Sequence, residues 1–289
     1  PMGDPGPERT GDEAPAAPAP SNDGGDSTEP ADPQGDNQDS ACTRELLGST
    51  VESYFAALAA GDPSTLQLAD GVRFTENGVV LELGEGLWQG AGAAAYKHSA
   101  LDVELCTSAT EAVVPEAGVD LPIALRLKLV GGEIAEIETI VARPGDYVIF
   151  GSPFESDPDA IIASAGLGWE EPVAEAERAD RERIDAWITR YFESFPNGGC
   201  DLAEDCLRLE NGGGSFSCSL GASCTDGAGG GAFGGPLDAR LVVVDEVTGV
   251  GAGFTMFMGN TDMHMIMLRG EEVRAVHTIL SGADGPGWE

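Results

Sequence analysis

Arg73-Phe74-Thr75-Glu76-Asn77-Gly78 recurs as Leu207-Arg208-Leu209-Glu210-Asn211-Gly212, with Glu-Asn-Gly held in common. Each copy follows a helix-like segment that carries a Tyr-Phe pair, Tyr54-Phe55 and Tyr191-Phe192. The far ends correspond too: Gly132–Ile140 aligns with Glu271–Ile279, which sets Glu138 against His277. The copies lie further apart at this last strand than at Glu-Asn-Gly, so the second carries extra residues between the two anchors. A repeat far longer than the roughly 50 residues of a solenoid unit reads as a duplicated domain. The chain then divides into a leader (1–41), a first domain (42–143), a connector (144–171) and a second, divergent domain (172–289).

Hydrophobic periodicity fills in the elements. Leu47, Val51, Tyr54, Phe55 and Leu58 form one helical stripe, ended by Gly61-Asp62-Pro63. Val72–Glu76 and Val79–Leu83 read as strands joined at Asn77-Gly78, a strong hairpin signal. Gly90–Ala100 reads as a second helix, and Val103–Val114, Ile123–Val130 and Ile134–Val141 as a meander. In the second copy Ile184, Trp187, Ile188, Tyr191, Phe192 and Phe195 restart the stripe. Leu241–Val244, Gly253–Met258, Met263–Leu268 and Val273–Leu280 read as its strands, after a Cys- and Gly-rich insert at Gly212–Gly235. The expected fold is α+β: two tandem cone-shaped domains, each a curved, mostly antiparallel sheet wrapped around helices.

A net charge of −35 argues against nucleic acid or anionic membrane as partners, since either repels such a surface. No apolar run approaches the roughly 20 residues that span a bilayer. The leader is Pro, Gly, Ala and Asp with few aliphatic side chains, so it is expected to stay disordered. Six cysteines without a C-x-x-C pair fit neither a zinc nor a redox motif. Cys200, Cys206, Cys218 and Cys224 crowd a stretch with little core of its own, which reads as disulfide staples and an extracytoplasmic setting. The competing reading is reduced, buried thiols. Cys42 is expected to pair with Cys106, and the other four among themselves in any of three ways.

Glu52-Ser-Tyr-Phe-Ala-Ala-Leu-Ala-Ala-Gly-Asp62, followed by Leu68-Ala-Asp-Gly-Val-Arg-Phe-Thr-Glu76, resembles the opening of the nuclear-transport-factor-2-like superfamily. The likeness is to its SnoaL-like and ketosteroid-isomerase-like branch, and Val130-Gly-Gly-Glu-Ile-Ala-Glu-Ile-Glu138 is similar to its last strand. The resemblance implies a cone with a pocket for a small apolar molecule, and no cofactor. In ketosteroid isomerases a tyrosine and a protonated aspartic acid hold an oxyanion while a carboxylate moves the proton. By that resemblance the first copy offers Tyr54 and Glu76, with Leu125 in the third place. The second offers Tyr191, Glu210 and His264, a chemically complete set. The implied activity is cofactor-independent isomerase, lyase or hydrolase chemistry; the alternative is a non-catalytic binding or surface-interaction module on the same fold.

Bland readings stand beside each candidate. Tyr54 and Tyr191 lie in apolar stripes, where a buried structural ring is the default. Glu76 and Glu210 each precede an Asn-Gly turn, where an exposed glutamate is ordinary, and Asn77 and Asn211 read as turn residues. Glu138 and His277 share one register on the last strand; facing the core, either would mark a paired charge or a site. His98, His264 and His277 are scattered, so no metal triad is expected, and no partner protein is indicated.

Overall fold

The computed structural model describes residues 42–149, 152–193, 202–217, 239–270, 272–282 and 288. The leader, Phe195, Cys200, Cys218 and Cys224 lie outside the described residues. The first copy runs α1 (Arg44–Ala60), β1 (Leu68–Glu76), β2 (Val79–Leu81), β3 (Tyr96–Asp102), β4 (Thr107–Glu116), β5 (Val119–Val130) and β6 (Glu133–Val141). The connector adds β7 (Val148–Ile149), β8 (Ser152–Pro153) and the short α2 (Pro158–Ala163). The second copy runs α3 (Arg181–Glu193), β9 (Leu202–Glu210), β10 (Gly213–Ser217), β11 (Leu241–Asp245), β12 (Val250–Phe257), β13 (Asn260–Arg269) and β14 (Glu272–Gly282). The two six-stranded sheets have one topology, β2-β1-β6-β5-β4-β3 and β10-β9-β14-β13-β12-β11, each with a single parallel pair joining its first and last long strands. This is the doubled α+β cone that the repeat predicts.

Local chemistry sets the elements. Thr43 caps α1 by accepting from Leu46 N at 3.1 Å, and Gly61, at φ 62°, closes it. The Glu-Asn-Gly turn does more than reverse the chain. Asn77 takes φ 46° while its side chain pairs with the Val141 backbone, accepting at 2.8 Å and donating at 3.2 Å. Asn211 repeats this on Leu280, at 2.9 Å both ways. Each asparagine thus acts as an extra residue of the sheet, locking the first long strand to the last.

Gly90–Ala100 is not a helix. A 3-10 turn at Gly86–Gln89 precedes it, and its later part becomes β3. Gly92 N donates to Pro115 O at 2.7 Å, and a Cβ there would meet Pro115 Cγ at 2.9 Å. Pairing along β4 overrides the helix propensity of an alanine run. The predicted Cys42–Cys106 disulfide ties the start of α1 to the β3–β4 turn. Cys206 is also disulfide-bonded.

Inside the first cone, α1 packs on the concave sheet face through Tyr54, Phe55, Leu58, Phe74, Trp88, Ile123, Leu125 and Leu127. The convex faces of the two sheets meet in a third core. The first copy brings mostly small residues to it (Ala100, Ala109, Ala124), and the second brings Phe254, Met263, Met265 and Met267. This seam carries reciprocal caps. Asp102, fully buried, accepts from Leu105 N at 2.9 Å in its own turn and from Val244 N at 2.9 Å across the seam. Asp245 accepts from Val247 N at 3.1 Å in its turn and from Leu101 N at 3.1 Å across it. Arg181 at the start of α3 then pairs with Asp102, and Arg44 at the start of α1 with Asp245.

Candidate functional site

Strand register settles which positions correspond inside the cones. Leu125 lies opposite Thr139, and His264 opposite Thr278; Ile123 lies opposite Val141, and Asp262 opposite Leu280. Phe74 lies beside Ile137, and Arg208 beside Val276. Three apolar places in the first cone, Phe74, Ile123 and Leu125, are therefore Arg208, Asp262 and His264 in the second.

These three join Tyr191 and Glu210 in one chain of hydrogen bonds. Glu210 Oε1 accepts from Arg208 at 2.8 Å, and Arg208 donates to the Tyr191 hydroxyl at 2.7 Å. That hydroxyl lies 3.1 Å from His264 Nδ1, and His264 Nε2 lies 2.9 Å from Asp262 Oδ2. Thr278 Oγ1 lies 3.2 Å from the same Nδ1. With its proton on Nε2 for Asp262, His264 offers the Nδ1 lone pair to the Tyr191 and Thr278 hydroxyls. Burial pushes the Tyr191 phenol up to about 12, against the pull of Arg208. Burial alone would lower Arg208, but Tyr191, Glu210 and Asp262 hold it above its ordinary value. Glu210 is the member that solvent reaches, its side chain 19 % exposed against 1 % for Arg208. Tyr147 arrives from the connector and packs into the same core as Tyr191. Burial raises its phenol, and Glu210 and Asp262 raise it further.

Close helix packing permits this. A Cβ at Gly253 would meet Phe192 at 2.2 Å, so only glycine lets α3 lie this near β12. Phe192 then stands 5.0 Å edge-on to the His264 ring, and Tyr191 5.4 Å from it.

The first cone is arranged for packing. Tyr54, Leu125 and Trp88 are buried in its core. Burial raises the Tyr54 phenol, which lies edge-on to Trp88 at 5.3 Å. Glu76 accepts from Leu87 N at 2.7 Å and pairs with Arg143 at 2.9 Å, closing the 3-10 turn. A Cβ at Gly86 would strike that carboxylate at 2.4 Å.

Glu138 and His277 stand on the convex faces, in the seam rather than the cones. Glu138 is held by Arg126 at 2.9 Å and by Arg240 of the second copy at 2.6 Å. His277 Nδ1 lies 2.7 Å from Glu111 Oε2 of the first copy, and His98 Nε2 3.2 Å from the same oxygen. Two of the three scattered histidines thus meet at a carboxylate, which their sequence spacing did not suggest. Arg208 and Asp262 escaped the sequence reading. The signal available was the substitution of Phe74 by Arg208 beside the shared Glu-Asn-Gly.

The architecture is a doubled α+β fold, a six-stranded sheet and a long helix in each copy. A family model described as a domain of unknown function, DUF8021, matches residues 177–280, most of the second copy. Curated proteins give no match. Among solved structures, a protein of unknown function with cystatin-like fold from Methylobium petroleophilum is 12 % identical, with TM-score 0.32, over 48 % of this chain and 99 % of its own. An NTF2-like protein of unknown function from Cytophaga hutchinsonii is 13 % identical, with TM-score 0.27, over 33 % of this chain and 88 % of its own. A candidate polyketide cyclase from Silicibacter is 19 % identical, with TM-score 0.27, over 34 % and 89 %. No helix among the described residues is long and apolar enough to cross a membrane.

Proposed function

We propose that the second cone is a small-molecule site that moves a proton, with Glu210 as base and Arg208, Tyr191 and His264 taking up the charge that develops. The observation that carries this reading is the exchange of Phe74, Ile123 and Leu125 for Arg208, Asp262 and His264 at matched positions. Charges buried in an otherwise apolar cone are costly to keep, and such networks gather at working sites. A molecule entering beside Glu210 meets the carboxylate first, with the buried Arg208 guanidinium directly behind it. The carboxylate takes a proton from a carbon next to a carbonyl, and the guanidinium, backed by the Tyr191 hydroxyl, holds the resulting enolate oxygen. Return of the proton to another atom completes an isomerisation, and expulsion of a leaving group gives a lyase. The substrate is a small, largely apolar carbonyl compound, in keeping with the aromatic core of Tyr147, Tyr191 and Phe192 around the network. The Cys42–Cys106 bridge supports an extracytoplasmic setting, secreted or surface-tethered, for this activity.

A second reading, a non-catalytic ligand-holding or interaction module, is favoured by one fact: Tyr191, Asp262 and His264 are each 2 % exposed or less. Hydrogen–deuterium exchange at the α-carbon of a panel of small ketones and esters, followed by NMR, separates the two. Exchange above the buffer rate is expected. Glu210→Gln should lower it at least tenfold, a conservative share of the roughly 100- to 10,000-fold typical of general acid–base catalysis. Glu76→Gln should leave it unchanged. No exchange across the panel, or a loss confined to Glu76→Gln, overturns the proposal, and saturable binding without exchange selects the second reading.

A further inference from the structure

We infer that His98, Glu111 and His277 form a transition-metal site in the seam between the two copies, suited to a divalent first-row ion such as zinc. Each copy supplies part of it. His98 and Glu111 are direct cross-strand partners on β3 and β4, and His277 reaches them from β14. One ligand atom from each residue lies within 4.8 Å of the others, and all three side chains are buried.

The polar inventory of this cluster is incomplete. The His277–Glu111 contact uses one nitrogen and one oxygen. Both ring nitrogens of His98, Nε2 of His277 and Oε1 of Glu111 have no hydrogen-bond partner among the described residues. Buried polar atoms are rarely left this way, and several orphans in one spot call for an unmet ligand. A cation takes up one lone pair from each neutral ring and one from the carboxylate, while the second nitrogen of each ring keeps its proton, that of His277 on the Nδ1 that faces Glu111. Two imidazoles and one carboxylate suit zinc and neighbouring first-row ions, whereas calcium and magnesium prefer oxygen alone. Zinc takes nitrogen and oxygen at about 2.0–2.2 Å. The 3.2 Å between His98 Nε2 and Glu111 Oε2 suits two ligands on one such ion.

The rings are also held in place. Trp169 from the connector stacks on His98 at 4.5 Å and meets His277 at 4.6 Å, edge to face. Burial holds His98 down to about 4, so at neutral pH it is the neutral imidazole that ligates metal. Burial would raise the Glu111 carboxyl, but His277 and His98 outweigh it and keep it low.

The related place in the fold shows the contrast. Glu138 corresponds to His277, and two guanidiniums close that spot with permanent positive charge. Where His277 stands, two imidazoles face one carboxylate, and a metal ion supplies the missing charge. Because both copies contribute ligands, the ion would pin the two sheets together.

The test uses the full chain with its disulfides intact, titrated with zinc in excess magnesium so that surface acids are occupied. One tightly held zinc per chain is expected, with a melting temperature raised by about 5 °C at a hundredfold excess over Kd. Cobalt(II) should give the visible bands of a low-coordinate nitrogen–oxygen site. His98→Ala and His277→Phe should each weaken binding at least a hundredfold. The wild-type titration decides the matter even if a variant does not fold. Failure to bind zinc tightly there, or equal binding by His98→Ala, reduces the cluster to a buried ion pair and overturns the inference.

Discussion

Arg208→Phe, Asp262→Ile and His264→Leu, made together, are expected to leave the chain as stable as before or more stable, while any one of them alone destabilises it. The three substitutions give the second cone the lining of the first, where Phe74, Ile123 and Leu125 pack around Tyr54. Replacing a whole buried charged group by well-packed apolar residues is often neutral or stabilising by about 1–4 kcal/mol. Thr278 already stands in the place of Thr139, and Glu210 turns to solvent, which already reaches it. A single Arg208→Phe change instead leaves buried Asp262 without its cation and the Tyr191 hydroxyl without its donor, and a single Asp262→Ile change removes the acceptor of His264. Breaking such a network from one side costs about 3–5 kcal/mol. Guanidinium unfolding midpoints under non-reducing conditions give the comparison. If each single change is harmless, the relay contributes nothing to folding and its burial needs another account.

The second large effect is expected at the seam. Asp102→Ala leaves Val244 N, Leu105 N and Glu104 N without their acceptor and Arg181 with only the exposed Glu104 as counter-ion. The loss should reach about 3–5 kcal/mol, as for other buried ion pairs broken from one side. Asp245→Ala should cost somewhat less, because Arg44 is more exposed than Arg181, at 34 % against 26 %. A loss below about 1 kcal/mol for Asp102→Ala, again from unfolding midpoints, would mean that the reciprocal caps do not hold the copies together.

Much of this architecture was legible in Glu-Asn-Gly and Tyr-Phe, because duplication prints the same constraint twice. The asparagine of each turn locks the first long strand to the last, so both copies keep it. The matched positions Tyr191, Glu210 and His264 do come together, linked through Arg208. Arg208 itself was hidden for a physical reason. Period-two alternation reports a face only when the other face meets water. Each sheet here is covered on both sides, by a helix and by the other sheet, so Leu207-Arg208-Leu209 reads like a strand with Arg208 outward when it points inward. The same double burial hid the seats of Glu138 and His277. Nothing in one sequence shows that a residue such as Asp102 or Asp245 caps a strand of the other copy.

The uneven seam has an evolutionary consequence. In a twofold homodimer every substitution appears on both sides at once, so a bulky residue at the interface must fit against its own image. Joining the copies in one chain removes that restriction, because tethering alone keeps the halves together at millimolar effective concentration. Ala100, Ala109 and Ala124 could then stay small while Met263, Met265 and Met267 filled the space they left. Freed from self-matching, one half became a filled scaffold, and the other was at liberty to place charge where its twin keeps Phe74, Ile123 and Leu125.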